Sequence, residues 1–422
     1  MNHQDRNQTL PATGKSMDLS EFQTQIERPL RMKTDEFQRE GRLRHIIFSS
    51  QLNPAVLEKL FYTADLIRQL SRAKEGIDQL RGLLSHKRAM LYFTQPSTRT
   101  FLSFMAACQI LGLTCNEVRD PKTSSESKRE SPMDSIRMFS SYFDIIIMRS
   151  PEARFAECCA YLMNRLERDG MRSVSIINGG SGADEHPTQA LLDMYTIQRT
   201  FDFDQAIDDG QRLRVLQNKY PDVTPGMAGK TYVFCGDMGR GRTVRSLATV
   251  LANYPANRMV FVSPNHPTLQ LSDEIHQRLM AKGVQVHMAD SLDSEIDGQS
   301  LLSVADCLYM TRIQREYSSA SEQSEFDDMD LDSFRLTPKR AQSLRDYCPI
   351  LHPFPRDSVV GEIPTEIDTD PRVMYFRQAR NGMWARAALL VHMFDVADDL
   401  YMIYNRQYRE RPTRKTIRVS DR

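Results

Sequence analysis

The sequence predicts an α/β protein made of two doubly wound parallel-sheet domains linked by helices. Three observations lead there. Short apolar runs of strand length alternate with amphipathic stretches of helical period along most of the chain. The runs are apolar enough to lie in parallel sheets covered by helices on both faces. The chain has 422 residues, 40% of them hydrophobic, which is enough for two domains of roughly 100–200 residues each.

Residues 1–42 are rich in Gln, Thr, Arg and Glu without a sustained apolar period, so they read as a poorly ordered extension carrying at most one short amphipathic helix. From Asn53 a helical period sets in: Leu57, Leu60, Phe61, Ala64 and Ile67 recur at steps of three and four, with Asn53 as cap and Pro54 in the first turn. Strands are expected at 89–93, 144–149, 173–178, 231–235, 259–263, 285–288 and 307–311. Helices such as 101–111, 188–197 and 243–252 lie between them. The first domain then spans 43–189 and the second 190–382, with the boundary near Ala190 inside a linking helix. Residues 203–227 read as an inserted surface loop, and the acidic, serine-rich 318–332 as a second irregular segment. A last long helix from Met383 to about Tyr401, within the closing stretch 383–422, is expected to return and pack on the first domain.

Bulk properties exclude several functions. Lys plus Arg and Asp plus Glu both number 55, so a nucleic-acid partner, which calls for a basic excess or stripe, is not expected. No apolar run approaches the roughly 18 residues of a membrane span, and the N-terminus lacks a signal-peptide core. The seven cysteines (108, 115, 158, 159, 235, 307 and 348) contain no C-x-x-C pair and several sit in apolar runs, as reduced, buried thiols of a cytoplasmic protein would. No metal and no cofactor is expected. Any anion site must be local.

The segment Leu91-Tyr-Phe-Thr-Gln-Pro-Ser-Thr-Arg-Thr-Phe-Leu-Ser-Phe supplies one. A strand ends near Phe93, Pro96 stops it, and Ser97 is a good N-cap for a helix with Phe101, Phe104, Met105 and Cys108 on one face. Ser97, Thr98, Arg99 and Thr100 thus occupy a first turn, where free N–H groups, hydroxyls and a guanidinium suit a dianion. Taken alone, an S-T-R-T run is more simply an ordinary cap with an exposed arginine. Arg149 closes the strand Asp144-Ile-Ile-Ile-Met-Arg, at the edge where open α/β sheets bind ligands. The glycine-rich run from Asn178 carries His186 and Gln189 onto the next helix, with Pro187 near its first turn.

Ser97-Thr-Arg-Thr, Met148-Arg149 and His186-Pro-Thr-Gln-Ala-Leu-Leu-Asp, in that order, resemble the carbamoyl-phosphate half of the aspartate and ornithine carbamoyltransferases. The likeness runs from about residue 45 to about residue 400. It implies that Ser97, Thr98, Arg99 and Thr100 hold a phosphate. Thr100, Arg149 and His186 would face the carbamoyl oxygen, Gln189 would bind the carbamoyl amide, and Phe354 and Pro355 would offer carbonyls to it. It further implies a homotrimer with shared sites, in which Ser124 and Lys128 of the polar stretch 121–131 reach the neighbouring subunit; Ser125 or Ser127 are alternatives to Ser124. Assembly beyond a trimer, with a regulatory chain or a dihydroorotase, stays open.

The second half decides the acceptor. Gly236-Asp-Met-Gly-Arg-Gly-Arg242 follows a strand and opens a helix, but its spacing is G-x-x-G-x-G and no acid ends the next strand at Ser263-Pro264, so a dinucleotide oxidoreductase is the weaker reading. Arg242 and Arg312, with Gln314, match the family's grip on a dicarboxylate, for which bidentate guanidiniums are suited. An ornithine enzyme would carry a cysteine where His352-Pro-Phe-Pro-Arg356 stands. Aspartate is the expected acceptor, and a non-catalytic or different-acceptor relative is the alternative. Gln95, Phe101, Ser150 and Tyr317 depart from the residues usual in the family; Gln95 and Tyr317 together imply a less charged contact between closing domains or a different allosteric coupling.

Overall fold

The computed structural model describes residues 19–120, 130–182, 185–203, 211–314, 329, 331–357 and 361–408. Two parallel sheets organise them. The first has four strands in the order Thr114–Val118, Arg88–Phe93, Ile145–Arg149, Ser175–Asn178. The second has five: Ile350–Leu351, Cys307–Met310, Thr231–Cys235, Arg258–Val262, Gln285–Ala289. Every pairing within these two sheets is parallel.

Side chains alternate across a strand, so each sheet feeds two cores. Leu91, Ile147 and Ile177 on one face of the first sheet, and Phe234, Phe261 and Tyr309 on one face of the second, belong to a single continuous core. The opposite faces are covered separately, by Phe155 and Leu162 under the first sheet and by Leu301 and Leu344 under the second. Helices fill the continuous core, among them Pro54–Leu70, Thr98–Ile110, Pro187–Phe201, Arg242–Leu251 and Tyr375–Met393. The Pro187–Phe201 helix is buried along most of its length, and both Arg242–Leu251 and Tyr375–Met393 pack against it. Asn53 caps Pro54–Leu70 by accepting the Val56 N–H (3.0 Å).

Several expectations need correction. Residues 19–42 are not a loose extension: two short helices, Gln23–Ile26 and Leu30–Glu36, and a small hairpin pack Phe22, Ile26 and Phe37 under the first sheet. Phe37 lies 5.0 Å from the Tyr161 ring, and Lys33 pairs with buried Glu157 at 2.8 Å. These anchors are too widely spaced to form a period. Residues 211–219 of the supposed loop form a helix. The strands Thr114–Val118 and Ile350–Leu351 were not expected, the first because an edge strand reading Thr-Cys-Asn-Glu-Val carries no apolar pattern. The last helix is two, Tyr375–Met393 and Ala397–Tyr408, broken where Asp395 takes a positive φ of 59°, and both do pack on the first domain's helices. Among the described residues no helix is long and apolar enough to cross a membrane, and all seven cysteines are free.

Candidate active site

Both sheets reverse their winding next to their first strand, and the two switch points face one another. In the first sheet the break falls between Arg88–Phe93 and Ile145–Arg149; in the second, between Thr231–Cys235 and Cys307–Met310. Loops leaving the C-terminal ends of strands at such points diverge and leave a crevice. Here the two crevices merge into one cleft of about 400 Å³. Ser97, Thr98, Arg99, Thr100, Arg149, His186 and Gln189 line it from one side; Arg242, Arg312, Gln314, Phe354 and Pro355 line it from the other. Ser124, Lys128 and Tyr317 lie outside the described residues.

The first wall begins at a helix start. Ser97 is the N-cap of Thr98–Ile110, but its hydroxyl makes no capping bond, so hydroxyl and first-turn N–H groups alike serve the cleft. Arg99 stands over the Phe354 ring at 5.6 Å, and burial together with the nearby Arg312 charge lowers its pKa. Positive charges facing each other across a crevice are stabilised by an anion between them. Phe101, where the family usually has an arginine, is buried edge-on against Phe93 with the Arg119 guanidinium 4.7 Å above its ring. Gln95 donates its N–H to the Arg149 carbonyl (3.1 Å).

His186 is fixed more tightly than its sequence position implied. It is the N-cap of Pro187–Phe201, and its Nδ1 accepts the Gln189 N–H at 3.3 Å. The proton of a neutral imidazole then sits on Nε2, which lies 3.5 Å from the Thr100 hydroxyl and opens to the cleft. Burial first, and then Arg149, Arg242 and Arg386, hold its pKa well below the usual histidine range. His186 is therefore a neutral donor.

Gln189 has its amide orientation settled by a carboxylate. Its Nε2 donates to Asp193 Oδ1 (2.9 Å), and since a carboxylate only accepts, the Gln189 carbonyl oxygen is left for the cleft. Asp193 is fully buried and also accepts from Gln378 Nε2 (2.6 Å) and Tyr309 OH (2.8 Å). Burial pushes its pKa up to about 7 despite these three donors. Gln378 in turn accepts the His352 N–H at 2.9 Å, tying the loop that carries Phe354 to the same carboxylate. Sequence reasoning missed Asp193, Gln378 and Arg386. The available signal was a polar residue on the buried face of a helix. Arg386 is buried, donates to Ser103 Oγ (2.7 Å), stacks 4.8 Å from Phe104, and has its pKa pulled down to about 9 by burial.

The second wall rests on the glycine loop after Cys235. Gly236 has φ +124°, and a Cβ there would lie 2.1 Å from the Thr311 carbonyl oxygen, so only glycine lets the loop close on the 311–314 segment. Asp237 then accepts the Arg240 N–H (2.8 Å) and the Gln314 N–H (3.2 Å), while Arg240 Nη1 donates to the Gln314 carbonyl (3.1 Å). The two arginine-bearing loops are thereby clasped. Arg242 donates across the cleft to the Gly182 carbonyl, and Ser246 Oγ accepts the His186 N–H at 3.0 Å.

Comparison with known proteins agrees with this layout. The aspartate/ornithine carbamoyltransferase carbamoyl-P binding domain matches residues 44–199, and the Asp/Orn binding domain of the same family matches residues 228–393. The chain belongs to the aspartate/ornithine carbamoyltransferase family. Among curated relatives, the aspartate carbamoyltransferase catalytic subunit of Chromobacterium violaceum is 35% identical over 347 residues, covering 82% of this chain and 96% of its own length. The multifunctional protein pyr1-3 of Dictyostelium discoideum is 34% identical over 351 residues, 83% of this chain but 13% of that much longer protein. Among solved structures, aspartate transcarbamoylase from Trypanosoma cruzi in complex with carbamoyl phosphate and aspartate superposes with a TM-score of 0.67 at 28% identity, covering 82% of this chain and 95% of the other. Family membership and fold thus agree with the two-domain α/β reading.

Proposed function

We propose that this chain transfers the carbamoyl group of carbamoyl phosphate to the amine of L-aspartate, giving N-carbamoyl-L-aspartate and phosphate, in de novo pyrimidine synthesis. One observation carries the reading: a helix-start dianion pocket and a pair of guanidiniums face each other across a single cleft, with a neutral histidine between them. Ser97, Thr98, Arg99 and Thr100 hold the phosphate. Arg242 and Arg312, with Gln314, hold the two carboxylates of aspartate and bring its amine to the acyl carbon.

As the amine adds, negative charge grows on the carbamoyl oxygen, where Thr100, Arg149 and His186 Nε2–H donate. A preorganised donor of this kind is worth roughly 3–4 kcal/mol. The Gln189 oxygen and the carbonyls of Phe354 and Pro355 accept from the carbamoyl NH2. Because His186 is neutral with its proton already on Nε2, it polarises the carbonyl and does not take the amine's proton; the departing phosphate is the base at hand.

The chain works as a homotrimer in the cytoplasm, with Ser124 and Lys128 completing the neighbour's cleft. The motif resemblance supports the shared site, and the free cysteines fit a reducing compartment. The test is direct: purified chain with carbamoyl phosphate and aspartate should form carbamoyl aspartate, and ornithine should not replace aspartate. N-(phosphonacetyl)-L-aspartate at 100 times its Kd should stabilise the fold by about 2.7 kcal/mol. Absence of product with aspartate would overturn the reading.

A further inference from the structure

A second cavity, of about 360 Å³, shares two helices with the cleft. Pro187–Phe201 gives Gln189 to the cleft and Arg199 to this cavity, roughly 15 Å further along at 1.5 Å per residue. Tyr375–Met393 gives Gln378 to the cleft and Arg377 and Arg380 to the cavity. With Arg68, Arg212 and Arg372, six arginines line this one concavity. The chain as a whole is electrically neutral, with 55 basic and 55 acidic residues, so the cluster does not follow from composition.

Five of the six fall into two kinds, while Arg212 stacks 5.6 Å from the Phe203 ring. Arg199 is held by Asp65, and Arg372 by Asp370 (2.6 Å) and by the Leu344 carbonyl (2.9 Å), so both are posed. Arg68, Arg377 and Arg380 form no ion pair among the described residues. The acid in the wall, Asp346, is taken up by Lys219 at 2.6 Å. Guanidiniums gathered in a concavity repel one another, and that repulsion is relieved by a multiply charged anion. Six guanidiniums carried by several separate elements offer more donors than the few oxygens of one phosphate can pair with bidentately. A short chain of linked phosphates can engage them, with guanidinium forks pairing to successive groups. We infer that this cavity binds a condensed phosphate, either free or as the tail of a nucleotide, at a site separate from the catalytic cleft.

Calorimetric titration with inorganic triphosphate tests the inference, using Arg99→Ala full-length chain so that the cleft no longer competes for phosphate. Triphosphate should still bind, and adding Arg377→Glu and Arg380→Glu should weaken it at least tenfold; both side chains are exposed, so the fold should be retained. Arg68→Gln, tested in parallel, should weaken binding severalfold. If Arg99→Ala alone abolishes binding, or the Glu pair leaves it unchanged, the inference fails. A nucleoside triphosphate binding equally well would identify the phosphate chain as all that is read; tighter binding would mean that a nucleoside is also recognised.

Discussion

The groups proposed to face the acyl centre and those proposed to face the acceptor acid are held by different means. Thr100, His186 and Gln189 are buried and sit in the first turns of two long helices; His186 is fixed by a bond to backbone and Gln189 by one to Asp193, while the Thr100 hydroxyl lies against His186 Nε2. Arg242, Arg312 and Gln314 are half-buried, long, and placed by loops that clasp one another through Asp237 and Arg240. The difference teaches which kinetic constant each side governs. A rigid donor set tuned to developing charge acts in the transition state, whereas adaptable guanidiniums bind ground state and transition state alike. Substitutions near the acyl centre should therefore lower kcat, and those on the acceptor side should raise the aspartate KM.

The sharpest break point is His186. Replacing it with alanine removes a neutral donor from the oxyanion position and should cut kcat by about 10²–10³ with little change in the aspartate KM. Because its pKa lies well below the usual range, no loss of kcat should track imidazole protonation between pH 6 and 8. A kcat within threefold of the parent would remove His186 from the chemistry.

Asp193 separates positioning from charge. Its pKa of about 7 in the fold exceeds the ordinary carboxylate value of 3.8, so between these values the folded chain holds a proton that the unfolded chain releases. Stability from this group is full below about pH 4 and is lost as pH rises toward 7, at up to roughly 1.4 kcal/mol per pH unit. Asp193→Asn keeps an oxygen for the two glutamines and lacks this loss. Its melting temperature should therefore gain on the parent's from pH 5 to pH 8; a constant offset would mean Asp193 stays charged throughout. On the acceptor side, Arg312→Ala should raise the aspartate KM by roughly 10–100-fold, the worth of one charged hydrogen-bonded contact. A fall in kcat of the same size, with KM unchanged, would erase the contrast between the two walls.

Much of this was legible in the sequence because strands buried on both faces leave continuous apolar runs, and because a phosphate pocket at a helix start needs hydroxyls and an arginine in consecutive positions. Ser97 to Thr100 could be read on that ground, Arg149 from its place at a strand end, and His186 and Gln189 from the glycine-rich run before their helix; Arg242 and Arg312 were assigned by resemblance to the family, and the fold brings all of them together. What escaped depends on tertiary partners. Asp193 looks like one polar residue in an amphipathic helix until Tyr309 and Gln378, 116 and 185 residues away, arrive beside it. Phe22 and Phe37 are isolated aromatics in a polar stretch, and their burial follows only from the face of the sheet that they cover. The edge strand at 114–118 has no pattern because half of it meets water.

The smallest predicted effect probes the seam between the walls. Ser246, on the helix that Arg242 opens, accepts the N–H of His186, and both groups are buried. Ser246→Ala leaves that N–H without a partner while His186 keeps its Nδ1 bond and its place at the helix start. If the first wall is set by its own helix, kcat should fall only about fivefold, the roughly 1 kcal/mol of a single hydrogen bond, and the aspartate KM should hold. A loss as large as that of His186→Ala would mean that His186 is aimed from the opposite domain, and the two walls would have to be counted as one device.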